Sequence, residues 1–432
     1  MQTTTSPIPT TTSPTTTAPS SKETRNLYLL LTISLISILL LLTFSSTSTS
    51  PSPSPSLSSS SSPFPTHQKL ILLSPNTTHP NPISSIAYLI TGSDGDLDRL
   101  LRLVFAIYHP KNQYLLHLDL TASGDQRDEL ALRVEGVPVF RAVGNVNVIG
   151  KADFANPKGV SAVSATLHGA AILLKYSRSW DWFVNLDAAH YPLITQDDLL
   201  HILSYLPKDL NFVNHTSYIG WRESHRMKPI VVDPGLYLSS KSEIFYATQR
   251  RELPNAYRMF TGSPSAILSR KFIDYCILGS DNLPRTALMY FSNMPSSQAN
   301  YFQTVVCNSQ EFNKTVVNHN LQYESWDTPP KLGQHVLGLN DFGGMVQSGA
   351  AFGSRFLLDD PVLDRIDLEI LNREPGKVVS GGWCLGEDDK DPCTVWGDAD
   401  ILRPGAGARR LEKGIVRLLS NEAFHAQQCI ID

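Results

Sequence analysis

The sequence predicts an α/β domain, a mostly parallel sheet flanked by helices, carried behind a single N-terminal membrane-spanning helix. Three observations predict it. From about residue 85 onward, short apolar runs with strand character alternate with segments of helical period, the pattern of a parallel sheet with helices on its faces. Ahead of them, Leu27 to Phe44 form an uncharged run of 18 residues. At 1.5 Å per residue such a run covers roughly 27 Å of the ~30 Å hydrocarbon core. On either side of it, residues 2–20 and 45–66 are almost entirely Ser, Thr and Pro, a composition too poor in apolar surface to offset chain entropy.

These features divide the chain into a cytosolic disordered tail (1–26), a transmembrane signal-anchor (27–44), a Ser/Thr/Pro-rich stem (45–84) and one lumenal domain (85–432). Lys22 and Arg25 precede the apolar run and no Lys or Arg follows it until Lys69, so the charge bias keeps the short tail in the cytosol, giving type II topology. A cleaved signal peptide is the competing reading. Its apolar region usually spans only about 7 to 15 residues, and SSTSTSPSPSPS is a poor cleavage site. In a secretory lumen the sequons at Asn76, Asn214 and Asn313 become usable for N-glycosylation. The five cysteines, Cys276, Cys307, Cys384, Cys393 and Cys429, all lie past the anchor. Disulfides persist there, and the odd count leaves at least one thiol over. No C-x-x-C spacing occurs, which disfavours zinc. With 41% hydrophobic residues and a formal charge of −4 over 432 residues, the chain has material for a large core and no basic run to attract nucleic acid or anionic lipid.

Within the domain, SIAYLITG reads as the first strand. Leu97, Leu100, Leu101, Val104 and Ile107 then recur with helical period, with Asp94 or Asp96 as the cap and Pro110 as the stop. YLLHLD (114–119) reads as a second strand and VPVFRAV (137–143) as a third. A helix follows from about Val160 to Tyr176, then WDWFVNLD as a fourth strand. In such sheets ligands bind beyond the carboxyl ends of the strands, so the loops after Ile90, Asp119, Val143 and Asp187 are where a site is expected. TGSDGD after the first strand lacks the third glycine of a dinucleotide fingerprint, and no G-x-x-x-x-G-K-[ST] occurs. Neither Ser93 nor Ser263 lies in a G-x-S-x-G nucleophile elbow.

Several strings in order from about Ile86 to Cys429 carry a resemblance: AYLITGSDGDLDRLLRLVFAIYHP, NVNVIGKADF, LNFVNHTSYIGWRE, KPIVVDPGLY, DNLPRTALMYF, QTVVCNS, SWDTPPK, DDPVLDRID and GGWCLGEDDKDPCTVWGD. The domain resembles the plant branch of the core-2/I-branching glycosyltransferases, whose plant members include β-glucuronosyltransferases acting on arabinogalactan-protein glycans. The resemblance implies a GT-A-like fold and a UDP-sugar donor. It also implies inversion at the anomeric carbon, a glycan acceptor on arabinogalactan protein, and residence in the Golgi membrane. Catalysis without a bound metal is implied too. The residues agree with that, because Asp187-Ala188-Ala189 at the fourth strand's end does not supply an Asp-x-Asp pair, and Asp398-Ala399-Asp400 reads as a solvated turn. A cation must then offset charge on the leaving UDP. The family uses a late Lys or Arg, for which the matching stretches offer Arg355 and Lys331. Uracil and ribose are expected near Thr91, Gly92, Ser93 and Asp119, although Asp96 and Asp119 can equally serve a cap and a turn.

Three departures from the family pattern bear on chemistry. Where relatives have a base Glu just ahead of Tyr-Phe-x-Thr, this chain has Ala299, which accepts no proton. Where S-A-S-D-Y-P is usual, the string is DAAHYP, so His190 replaces an Asp and becomes the substitute base candidate. Where a Trp usually follows T-G-S-A, the residue is Ser265, and a stacking platform is lost. The expected activity is therefore inverting transfer from a UDP-sugar, with UDP-glucuronate carried over from the plant relatives. A catalytically impaired homologue that binds donors or partners in a Golgi assembly is the alternative.

Overall fold

The structure, a computed structural model, describes residues 82–237, 243–327, 329, 333–386 and 391–430. The tail, the Leu27–Phe44 span, the stem up to residue 81, Asn76 and Lys331 lie outside the described residues; the last residues assigned to the stem, Ile83 and Ser84, are buried in the domain. Among those described, no helix is long and apolar enough to cross a membrane.

β1 (Ile86–Gly92) is buried at every residue from Ile86 to Ile90, as a central strand covered on both faces must be. The helix Leu97–Ala106 leads to β2 (Gln113–Leu118) and β3 (Val146–Val148), and the helix Ser161–Tyr176 leads to β4 (Trp182–Asp187). Short strands follow: β5 (Tyr191–Pro192), β6 (Asn211–Phe212) and β7 (His215–Thr216), then the antiparallel pair β8 (Pro229–Val232) and β9 (Phe245–Arg250). β10 (Thr261–Gly262), β11 (Ile267–Ser269), β12 (Val316–Val317), β13 (Gln322–Tyr323) and β14 (Phe352–Gly353) complete the set among the described residues. Seven of them form the central sheet in the order β12-β6-β11-β4-β1-β2-β3. Its pairs are parallel except where β11 runs antiparallel to β4 and β6. The expected α/β class with a mostly parallel sheet is what the chain adopts.

Helices cover both faces. Ala87, Leu89, Leu115, Phe183 and Leu268 join a core with apolar residues of the helices Ser161–Tyr176 and Tyr301–Asn308. At Gly169 a Cβ would stand 2.6 Å from Leu89 Cδ1, so the glycine permits the close helix–strand approach. On the opposite face Tyr88, stacked on Tyr114, donates its hydroxyl to Gln196 of the helix Gln196–Leu203 at 2.9 Å.

Two expectations need correction. VPVFRAV is not a strand but the helix Pro138–Val143. Pro138 occupies its first turn, where a missing N–H is tolerated, and Gly144 ends it in the left-handed region at φ 69°. A short apolar run does not distinguish helix from strand by period alone, and the third strand comes next, at Val146–Val148. The expected loop after Val143 is thus only the link between them. Asp96 does stand at the N-cap of Leu97–Ala106, but its side chain bonds no helical N–H. Its Oδ2 accepts instead from the Ser93 N–H and hydroxyl at 2.9 and 3.0 Å.

The C-terminal third is tied to the sheet by buried polar groups. Asp197 Oδ2 accepts from the Gly382 and Arg403 N–H groups at 2.7 and 2.6 Å, and Asp198 Oδ1 accepts from the Gly405 N–H at 2.6 Å. Behind β5, buried Arg373 donates to both Asp367 oxygens at 3.0 and 2.5 Å and to the Tyr191 hydroxyl at 2.9 Å, and Arg102 reaches Asp367 at 2.7 Å. Two disulfides, Cys307–Cys429 and Cys384–Cys393, leave Cys276 as the free thiol.

Burial pushes the Cys276 thiol up, out of its reactive range. Iodoacetamide should therefore leave the native protein unlabelled, add one label per chain after unfolding without reduction, and add five after reduction. Two or more labels in the unfolded, unreduced protein would contradict the pairing. Cys307→Ser opens a link between positions 122 residues apart. The expected loss is on the order of 3–5 kcal/mol in denaturant unfolding.

Candidate active site

The carboxyl ends of β1, β2 and β4 lie side by side, with Thr91 opposite both His117 and Asp187 in register. Thr91 donates its hydroxyl to the Leu186 carbonyl at 3.3 Å. Gly92 lets the chain turn tightly, since a Cβ there would stand 2.9 Å from that of Asp96. Ser93 is held by Asp96, and Arg99 pairs with Asp96 Oδ1 at 3.0 Å. Asp119 is buried. Its N–H donates to the Gly92 carbonyl at 2.9 Å, and its Oδ1 accepts from the Thr121 N–H at 2.9 Å and from the Thr121 hydroxyl. Thr91, Gly92, Ser93 and Asp119 are therefore brought together, with one Asp119 oxygen spent on its own turn.

Arg355 reaches the same edge from far along the chain. β14 pairs antiparallel with β5, and the Phe356 N–H donates to the Ala189 carbonyl at 2.9 Å, so exposed Arg355 stands beside the loop that leaves β4. Arg99 braces this junction by donating to the Phe356 carbonyl at 2.8 Å.

That β4 loop carries a charged pair. His190 Nδ1 lies 2.8 Å from Asp187 Oδ1, and its Nε2 lies 3.0 Å from the Ser265 hydroxyl, so both ring nitrogens of a nearly buried imidazole are engaged. Burial would lower the His190 pKa. The charge of Asp187 and its hydrogen bonds, with Glu324 adding to them, outweigh burial and raise it. Dense protein around Asp187 would raise its pKa, but the His190 charge and hydrogen bond, the Ala189 N–H and Arg99 bring it down to about 2. The Asp187 side chain is also 60% accessible, so solvent screening limits what this pair adds to stability. In the window between the acid range of Asp187 and the raised pKa of His190 the two form an ion pair. It is lost as pH falls through about 2 or rises through the His190 value.

Ala299 ends the 3₁₀ turn Ser297–Ala299, at the foot of the helix Tyr301–Asn308. Gln303, one turn on, donates to the Ser263 carbonyl at 2.5 Å and ties that helix to the loop between β10 and β11. Ser263 in turn donates its hydroxyl to Glu324 Oε1 at 2.9 Å, and Asn320 donates to the same oxygen at 2.9 Å. A continuous chain of polar contacts thus runs from Asp187 through His190, Ser265 and Ser263 to Glu324. Asn185 closes the arrangement, donating to the Pro264 carbonyl at 3.0 Å and accepting from the Ala266 N–H at 3.2 Å.

Glu324, Asn320, Gln303, Asn185 and Arg99 were not legible as site residues. Glu324 sits one residue ahead of SWDTPPK as the one acid in NLQYESW, a signal too slight without the fold. Asn214 is exposed, whereas Asn313 is half-buried with its Oδ1 sealed from solvent. Asp398 and Asp400 form an exposed turn in which the Asp400 N–H donates to Asp398 Oδ1 at 2.8 Å. His215, Cys307 and Cys429 cluster within 4.8 Å of one another, but the two sulfurs are bonded to each other and offer no thiolate to a metal.

This edge brings Arg99 and the Arg355 segment together with hydroxyl and carboxylate groups, the chemistry for a charged donor and a hydroxyl acceptor. Comparison with known proteins agrees. Arabidopsis thaliana β-glucuronosyltransferase GlcAT14A is 50% identical over 358 residues, covering 81% of this chain and 80% of the relative. GlcAT14B of the same plant is 49% identical over 346 residues, covering 80% of each, and GlcAT14C is 45% identical over 349. The sequence profile of the core-2/I-branching enzymes matches residues 86–346. The chain belongs to the core-2/I-branching enzyme family.

Proposed function

We propose that the chain is an inverting, metal-independent glucuronosyltransferase with a GT-A-like domain. On this reading it is anchored in the Golgi membrane with type II topology and moves glucuronic acid from UDP-glucuronate onto galactan chains of arabinogalactan proteins. The similarity to the three plant β-glucuronosyltransferases over four-fifths of the chain carries this reading. The convergence of the loops after β1, β2 and β4 with the Arg355 segment supports it.

The acceptor hydroxyl attacks the anomeric carbon from the face opposite the leaving group, and the bond to UDP breaks with its electron pair. Arg355, with its planar fork of donors, suits the diphosphate oxygens. Lys331 is a second cation offered by the sequence. The backbone and hydroxyl groups of Thr91, Gly92 and Ser93 suit the nucleoside. The same residues support the metal-independent reading. Only Asp187 stands at the end of β4, followed by Ala188 and Ala189, and its carboxylate is already matched to His190.

A second reading, a donor-binding homologue without turnover, is favoured by the methyl group of Ala299 at the family's base position. His190 is the substitute base that the sequence offers. As a base it must be neutral, whereas the charge of Asp187 raises its pKa and so favours the protonated form.

Two measurements test the proposal. Calorimetric titration of the lumenal domain with UDP in EDTA should show binding, weakened about tenfold to a hundredfold by Arg355→Ala, the worth of a charge-assisted pair. Binding that appears only on adding manganese would overturn metal independence. Protease treatment of sealed microsomes should leave the domain protected and carrying glycan at Asn214. A digested, unglycosylated C-terminus would end the type II reading.

A further inference from the structure

We propose that Glu324 is the general base of this transferase, taking the proton of the acceptor hydroxyl that Ala299 cannot take. The inference rests on the transferase reading and adds the residue that makes it workable.

Glu324 follows β13 directly, and β13 pairs with β14, whose continuation carries Arg355 and touches Ala189. The carboxylate therefore stands between the cationic segment and the acceptor-side loop. Its Oε1 receives two hydrogen bonds, from Ser263 and Asn320, at 2.9 Å each. Among the described residues none falls on Oε2, which keeps its lone pairs for a further donor. One oxygen fixed and one open is the arrangement a positioned base needs. The group is half-buried, so it is reachable yet oriented.

The neighbours tie the two candidate groups together. Glu324 adds to the negative charge that raises the His190 pKa. His190 has both ring nitrogens engaged, by Asp187 and Ser265, so it offers no free nitrogen to an acceptor hydroxyl. Ser263 links the two groups: its hydroxyl donates to Glu324, and it accepts from the Ser265 N–H at 3.3 Å. Gln303, on the helix that begins just past Ala299, braces the same serine through its carbonyl. The carboxylate thus serves the same loop that the family's usual base would adjoin.

The step balances without a further reactant. Oε2 of Glu324 takes the hydroxyl proton while the acceptor oxygen bonds to the anomeric carbon. The bond from that carbon to the diphosphate oxygen breaks, and its electron pair leaves with UDP.

The test is initial-rate kinetics of the purified lumenal domain with UDP-glucuronate and β-galactan oligosaccharides. Glu324→Gln should lower kcat by about a hundredfold to ten-thousandfold, the usual worth of a positioned base. UDP affinity and thermal melting should stay unchanged. The acid limb of the wild-type kcat/KM profile should be lost in Glu324→Gln. An acid limb kept in Glu324→Gln and abolished by His190→Ala would overturn the assignment in favour of His190. Turnover of Glu324→Gln within threefold of wild type would also overturn it, with the transferase reading intact. Should the amide fail to fold, Glu324→Asp carries the test: a shortened carboxylate should lower kcat with a normal UDP affinity and retain the acid limb, and an unchanged kcat would sink the idea. A wild-type domain that transfers from no UDP-sugar overturns the transferase reading and the base assignment together.

Discussion

One reversal of chain direction organises the candidate active-site edge. β11 enters an otherwise parallel stack between β4 and β6 running the other way. Because it is antiparallel to β4, the residues that lead into it, Ser263 to Ala266, arrive at the carboxyl end of β4 and not at its start. With β11 parallel, that loop would sit at the far side of the sheet and His190 would face no hydroxyl. Two asparagines hold the reversed strand at its ends: Asn185 accepts from the Ala266 N–H, and Asn211 Oδ1 accepts from the Ser269 N–H at 2.8 Å. Side-chain amides here replace the regular ladder where three residues of β11 are too few to complete it. Gly262 belongs to the same constraint, because a Cβ there would overlap the Asn214 carbonyl at 1.8 Å and push β10 off β7.

The electrostatics of the edge and of its support differ in kind. At the edge, Asp187 and His190 form a partly open pair whose value lies in fixing the charge and orientation of the imidazole. Behind it, Arg373, Asp367, Tyr191 and Arg102 are largely withdrawn from water and satisfy one another. Desolvation offsets much of the attraction in such a cluster, so it is weak evidence for stability, but loss of one member leaves a buried charge unmatched. Its function in the architecture is register. Tyr191 is the residue after His190, and anchoring its hydroxyl fixes where β5, and with it the β4 loop, can sit.

The fold was legible where periodicity was long and unambiguous. β1, the helix Leu97–Ala106, β2, the helix Ser161–Tyr176 and β4 all follow from their apolar patterns. The error at 137–143 came from a run of six or seven residues, where proline and glycine at the two ends decided the matter and the apolar pattern did not. Beyond residue 190 most strands are two or three residues long, set by pairing partners far away in sequence, and no local pattern announces them. The site divides in the same way. Thr91 to Ser93, Asp119 and His190 lie at strand ends and follow from the parallel-sheet rule. Glu324 and Gln303 reach the site only through tertiary contacts with Ser263, and nothing near them in the chain marks that contact.

The match to the family profile ends at residue 346, yet the fold does not. Asp197 and Asp198 are buried carboxylates whose partners are backbone N–H groups of Gly382, Arg403 and Gly405. The last described cysteine, Cys429, returns to the helix Tyr301–Asn308 in the middle of the core. A recombinant fragment trimmed to the matched segment would remove these C-terminal donors, remove β14 and its arginine, and leave Cys307 without its mate. The boundary of the profile match and the boundary of the folding unit therefore part company in this protein. The described residues beyond 346 supply buried groups to the core, among them Phe352, Trp383 and Leu411, and expression or tagging strategies have to keep them.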